Sequence, residues 1–231
     1  MKNLKFACTT AVALVFICLS VTSALAKDEA RLVAAAVKTI KDISAVPKKG
    51  IPPALLKNAH AVAIFPGAVK TDFMVSGKQA EGFIVVQNGE GKWSAPVFAS
   101  LSGGTLGWQV IAGPMDIILV FKTKKSIDRI LKGKFTMDAK VAVVIGPAGQ
   151  SIKVVSKQEQ AAEILTYTWN NGSFADVVIA GATVQVNDSA NADFYKVPKI
   201  SAEEILAGSA GKPSEDARSL QKALSEYASR K

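Results

Sequence analysis

Residues 135–145, FTMDAKVAVVI, decide the fold class. Phe135, Met137, Ala139, Val141, Val143 and Ile145 fall on one side of an extended chain, because successive side chains of a strand point to opposite faces. Clean alternation of this kind marks a strand with one buried face, as antiparallel sheets have. DVVIAGATVQV (176–186) repeats it, with Val178, Ala180, Ala182, Val184 and Val186 on one face. Four further apolar runs bounded by Gly, Pro or Asn read as strands: AVAIF (61–65), GFIVVQ (82–87), APVFASL (95–101) and DIILVF (116–121). Asn88-Gly89-Glu90-Gly91 is a hairpin turn signal.

Helices flank this block. At 100° per residue Leu32, Val33, Ala36, Val37, Ile40 and Ile43 share one face, opposite Lys27, Arg31, Lys38 and Lys41, with Asp28 and Asp42 beside them. Ala45-Val46-Pro47 ends that helix, since a residue before proline is pushed out of the helical region. The basic linker VPKKGIPP follows, holding Lys48 and Lys49, and Pro52-Pro53 open a short helix. Ser126 is placed to cap another short helix, with Ile127, Ile130 and Leu131 inward and Gly133 as its stop. Ser201 and Glu204 form a capping box, and residues 214–229 carry a last apolar stripe of Leu220, Ala223, Leu224 and Tyr227. The expected fold is α+β: an antiparallel twisted sheet or sandwich with flanking helices, in one domain.

The first 26 residues carry Lys2 and Lys5, an apolar run, and Ala24-Leu25-Ala26 before Lys27. This is the pattern of a secretory signal peptide cleaved after Ala26, which gives an exported protein, periplasmic or extracellular. Both cysteines, Cys8 and Cys18, lie inside that segment, so the expected mature chain relies on its core alone. Without Lys2 and Lys5, 26 basic residues face 19 acidic ones, a formal charge of +7. That balance favours anionic lipid or polysaccharide, and export disfavours nucleic acid.

Catalytic patterns are weak. Gly103-Gly104-Thr105-Leu106-Gly107 lacks the G-x-G-x-x-G spacing, and no helix follows to hold a pyrophosphate. Glycine inside a strand more often marks a bulge, a tight bend or close backbone approach. His60 is the lone histidine, there is no G-x-S-x-G elbow, and a zinc site wants three or four His, Cys or carboxylate ligands where the expected mature chain has one His and no Cys. Asp72, Glu81 and Asp116 sit on different elements, and Asp116 reads as a hydrogen-bonded residue at a strand start. No enzyme, metal or cofactor is expected.

The ordered set of motifs is more informative. Ile51-Pro52 and LLKNAHAVAIFP come first, followed by Gly77, Gly82 and Trp93-Ser94-Ala95-Pro96. Then stand Gly103-Gly104-x-x-Gly107-x-Gln109 with Asp116 seven residues on, Gly146-Pro147-x-Gly149, Tyr167, Gly172-x-Phe174, Asn191 and Tyr195. In this order they resemble the SYLF domain, a lipid-binding family of endocytic and actin-associated eukaryotic proteins and of exported bacterial ones. The resemblance covers about Ile51 to Gly208, and with the segments read above the chain divides into a signal peptide (1–26), an amphipathic helix and basic linker (27–50), a SYLF-like domain (51–212) and a C-terminal helix (213–231). Departures fall at Ile111 and Asp176, where the family has glycine. Asn170-Asn171 replace its basic pair, and Ser173 replaces its leucine. The resemblance implies binding of acidic phospholipids, in part through a basic N-terminal helix, and actin binding in some eukaryotic members.

The expectation is a non-enzymatic exported protein that associates with anionic phospholipids through basic surface residues. The candidates are Arg31, Lys38, Lys41, Lys48 and Lys49, with a second cluster of Lys122, Lys124, Lys125, Lys132 and Lys134. Trp93, Gly103, Gly104, Gly107, Gln109 and Asp116 are expected to be structural. The alternative is an envelope protein-interaction module with no direct lipid role.

Overall fold

The computed structural model describes residues 28–46, 50–69, 79–107, 115–137, 142–144, 162–170, 172–175 and 178–230. Residues 1–27, Lys48-Lys49, Asp72, Gly77, Gln109, Ile111, Gly146, Gly149, Asn171 and Asp176 lie outside them.

Helix α1 (28–45) leads into α2 (Pro53–Lys57) and strand β1 (Ala61–Val69). Strands β2 (Ala80–Val86), β3 (Val97–Gly107) and β4 (Met115–Phe121) follow, then α3 (Lys124–Leu131). The rest is β5 (Lys134–Thr136), β6 (Ala142–Val144), β7 (Ile164–Asn170), β8 (Ser173–Ala175), β9 (Val178–Val186), α4 (Asp188–Tyr195), α5 (Ala202–Leu206) and α6 (Glu215–Ala228).

The strands form one sheet in the order β5-β9-β3-β2-β1-β4-β7-β6, with β8 added to β7. Of the two architectures left open by the sequence, the single curled sheet is the one present. All pairings are antiparallel except β6 with β7. The run 135–145, expected as one strand, is a correction: its described ends are two strands that pair with opposite sides of the sheet. Phe135 pairs Val184 of β9, whereas Val143 pairs Leu165 of β7. Counting alternations across the sheet, β5 and β6 run in the same direction, and β6 also comes near β9. The chain thus passes from one sheet edge to the other, and Ala139, Val141 and Ile145 of the run lie outside the described residues.

Alternate residues separate two cores. Val62, Ile64, Phe83, Val85, Ile118, Val120, Leu165 and Tyr167 face outward under α1, α2 and α6. Ala61, Ala63, Phe65, Ile84, Ile117, Leu119, Phe121 and Val184 face inward, where Ile127 and Ile130 of α3 join them. Both faces of β1, β2 and β4 are therefore covered, which is why these strands read as unbroken apolar runs. In β9 the inward Ala182 and Val184 are buried while Gln185 is exposed, and the sequence alternates accordingly.

The apolar stripe of α1 belongs to the outer core: Val33, Ala36, Ile40 and Ile43 are each at most 1% exposed. Burying each Val or Ile contributes roughly 1.5–3 kcal/mol, so the stripe is committed to packing. The C-terminal helix joins the same core through Leu220, Leu224 and Tyr227, and the Tyr227 hydroxyl donates to the Ile51 carbonyl at 2.7 Å. A second correction concerns α3. Its N-cap is Thr123, and Ser126, fully buried, donates instead to Glu163 Oε2 at 2.7 Å. Lys132 is the C-cap, and Gly133 follows at φ +144°.

Candidate functional site

A groove of about 970 Å³ runs beside α1. Leu32, Ala35 and Val46 form one wall, and Pro66, Gly67, Asp116 and Trp169 the other. Its geometry starts from a bulge in β1, where the β1–β4 register shifts between Phe65 and Val69 and Gly67 takes φ +59°. The bulge frees the Gly67 N–H from the ladder, and Asp116 Oδ1 accepts it at 2.7 Å. Asp116 Oδ2 accepts from the Thr39 hydroxyl of α1 at 2.5 Å. Asp116 is thus a hydrogen-bonded strand-start residue, as the sequence suggested, and it also fastens α1 to the sheet. Thr39 has no motif to announce it. Only its place on the inner edge of α1 pointed to burial.

Along the rim of this groove Arg31 pairs with Asp28 at 3.2 Å and Lys38 with Asp42 at 2.6 Å. The Asp42 hydrogen bond raises the Lys38 pKa above the ordinary lysine value. Lys41 is exposed. Of the second cluster, Lys124, Lys125 and Lys132 are exposed around α3, and Lys122 is half-buried just before it. Lys134 opens β5. The two groups occupy different sides: α1 packs on the outer core and α3 on the inner one. Arg129, which sequence reasoning passed over, stands on the same exposed side of α3, 5.9 Å from the Phe135 ring. Its spacing of four residues from Lys125 was the available signal.

The signature residues are fastenings. Ser94 Oγ accepts from the Val86 N–H at 3.0 Å and donates to the Ala95 carbonyl, closing the turn after β2. Trp93 is buried, and its carbonyl accepts from Gln221 of α6 at 3.0 Å. Asn191 of α4 imitates a strand neighbour: its Oδ1 accepts from the Phe98 N–H at 2.8 Å and its Nδ2 donates to the Phe98 carbonyl. The Tyr195 hydroxyl donates to the Pro96 carbonyl at 2.6 Å, and burial pushes its pKa up. Gly103, inside β3, has φ +68° opposite a stretch of β9 where Gly181 has φ +74°, a paired bend that side chains resist. Gly104 and Gly107 continue the same strand. At Gly82 a Cβ would lie 2.3 Å from the Ile64 carbonyl oxygen, so backbone approach requires glycine there.

His60 sits at the α2-to-β1 junction, exposed, its N–H donating to the Phe121 carbonyl at 2.8 Å. Glu81 is half-buried and holds Asn187 at 3.1 Å, and desolvation raises its pKa despite that bond. Among the described residues no three His, Cys, Asp or Glu side chains gather as a metal would need. No helix among them is long and apolar enough to cross a membrane. Polar fastenings, a wide groove and exposed cations suit binding better than bond-breaking chemistry.

Residues 102–227, from mid-β3 to the end of α6, match the family model described as Ysc84, Las17-binding protein actin regulator. The chain belongs to the Ysc84 (SYLF) family. Its relatives include SH3 domain-containing YSC84-like protein 1 of Xenopus laevis, 26% identical over 204 residues, which cover 87% of this chain and 60% of that protein. The Homo sapiens protein of the same name is 26% identical over 192 residues, 82% of this chain and 56% of its own. The chain therefore spans less than two thirds of the curated relatives it matches. The family-model match contains Asp116, α3 and the Asn191–Tyr195 fastenings, while α1 lies before it.

Proposed function

We propose that this Ysc84-family chain is an exported, non-enzymatic protein that associates peripherally with anionic phospholipid surfaces. The observation that carries this reading is a contrast between charge and apolar exposure. From Lys27 onward the chain bears a formal charge of +7, yet Val197 is the one exposed large apolar residue among the described ones. With the α1 stripe buried, attraction falls to the cations, each contributing on the order of 1 kcal/mol near an anionic surface. Export rests on the Ala24-Leu25-Ala26 site, and mass spectrometry of the secreted or periplasmic protein should find Lys27 as its first residue.

Co-sedimentation with phosphatidylglycerol-containing vesicles tests the lipid reading. The protein should pellet with them, stay in solution with neutral phosphatidylcholine vesicles, and be released at about 0.5 M salt, where screening reaches only several Å. Binding that ignores salt or headgroup charge would refute it. The family model's own description, Las17-binding, favours a second reading as a protein-interaction module. In that case an envelope protein is captured in a pull-down and vesicles of either charge are not.

A further inference from the structure

The two basic surfaces are not equivalent. Helix α1, residues 28–45, contains three basic and three acidic residues, and two of its cations are already paired with aspartates. Residues 122–134 contain six basic residues and one acid, Asp128. Lys124, Lys125, Arg129 and Lys132 are all exposed, and among the described residues no carboxylate forms an ion pair with them. At 100° per residue these four and Asp128 share one side of α3, opposite Ser126, Ile127 and Ile130.

That side is held firmly. Ile127 and Ile130 are at most 2% exposed in the inner core, and Ser126 is bonded to Glu163 on the buried side. Arg129 leans on Phe135. Besides Asp128 on the same side and Glu163 beneath the helix, the acids nearby stand to one flank: Asp188 and Glu203 line a cleft of about 250 Å³ together with Lys132. Lys124, Lys125 and Arg129 are clear of that cleft.

We propose that the exposed side of α3, centred on Lys124, Lys125 and Arg129, is the face that docks on an anionic phospholipid bilayer, and that α1 faces elsewhere. This rests on the lipid reading above. Helix α3 begins just beyond Phe121, the last residue of β4, whereas α1 is fastened to Asp116 at its start. Five strand steps, about 17 Å, separate those points, and the two helices pack on opposite faces of the sheet. One flat membrane does not engage both. Because the apolar side of α3 is occupied by the core, docking is superficial and reversible.

The test uses the purified chain with vesicles of phosphatidylglycerol and phosphatidylcholine at low salt, comparing wild type, Lys124→Glu/Lys125→Glu/Arg129→Glu and Lys38→Glu/Lys41→Glu. Circular dichroism establishes that each variant is folded. If the triple variant is not, Lys124→Gln/Lys125→Gln/Arg129→Gln takes its place. The triple variant should lose on the order of 100-fold in partitioning, at about 1 kcal/mol per basic residue, and the α1 variant about twofold or less. Wild-type binding that survives the α3 change but falls with the α1 change overturns the assignment of the face and leaves the lipid reading standing. A wild type that ignores anionic vesicles, whether or not it is retained on a soluble polyanion such as heparin, overturns both.

Discussion

Asp116 shows how one carboxylate can fix the relation of two elements. It satisfies the N–H that the β1 bulge frees and the hydroxyl of Thr39; its loss strands the Gly67 N–H, while Thr39 Oγ1 keeps the Ala35 carbonyl at 3.1 Å. Asp116→Ala should cost about 1–3 kcal/mol in urea unfolding, since a stranded buried donor forfeits roughly that much. A change below about 0.5 kcal/mol would show that water replaces the lost bond. The sequence pointed to Asp116 but could not reveal Thr39, because a pair 77 residues apart leaves no local pattern. Glu29 is the opposite case. Its residue is 9% exposed, Oε2 has no hydrogen-bond partner, and burial, with Asp193 and Asp28 nearby, raises its pKa above the ordinary 4.5. A raised folded pKa means its stabilising contribution is full in acid and is lost as pH climbs from about 4.5 through the folded value. Glu29→Gln should therefore be more stable than wild type at pH 7, with the difference vanishing near pH 4, as thermal melts across that range will measure. An equal difference at both pH values would mean that Glu29 is not titrating in this window.

At the scale of elements, periodicity was readable wherever one side of an element is covered. The α1 stripe, the stripe of α6 and the capping box of Ser201 with Glu204 all stand where the spacing put them. What the stripe of α1 packs against was not readable, because an amphipathic helix looks the same whether its partner is a sheet or a bilayer. The start of α3 was misjudged for a related reason. Ser126 has the chemistry of a cap, but the half-buried Glu163 took its hydroxyl, and the helix begins after Thr123 instead. The docking of α1 makes a sharp contrast measurable. Ile40→Ala should destabilise the protein by about 2–5 kcal/mol, as deletion of fully buried aliphatic side chains does. Lys38→Ala, which removes one solvent-exposed ion pair with Asp42, should change stability by about 0.5 kcal/mol or less. Comparable small effects from both would place α1 off the sheet in solution and return its apolar stripe to the candidates for membrane contact.

For the whole molecule, the α+β class and the strand-rich middle were evident from alternation, but the strand order of the curled sheet was not. Which edge a strand joins is set by contacts far away in sequence, and the alternation of 135–145 is the same for one pairing partner as for two. The uneven strand lengths have a consequence for stability. β1, β2, β3, β4, β7 and β9 are seven to eleven residues long, while β5 and β6 contribute three-residue ladders to β9 and β7. Local opening follows the weakest hydrogen-bonded boundary, and core strands open only with global unfolding. Native-state hydrogen exchange should therefore find the amides of Ile64, Ile84 and Leu119, covered on both faces, exchanging only through global unfolding. Amides of Phe135 and Val143 should exchange through a smaller opening, with a free energy that falls little in denaturant because little surface is exposed. The Met137 N–H, donated to the Ala182 carbonyl at 2.8 Å, continues the β5 ladder and should share that behaviour. If Phe135 and Val143 instead match Ile64 in both protection and denaturant dependence, the crossing run is integral to the cooperative core. Sheet and seam then unfold as one unit.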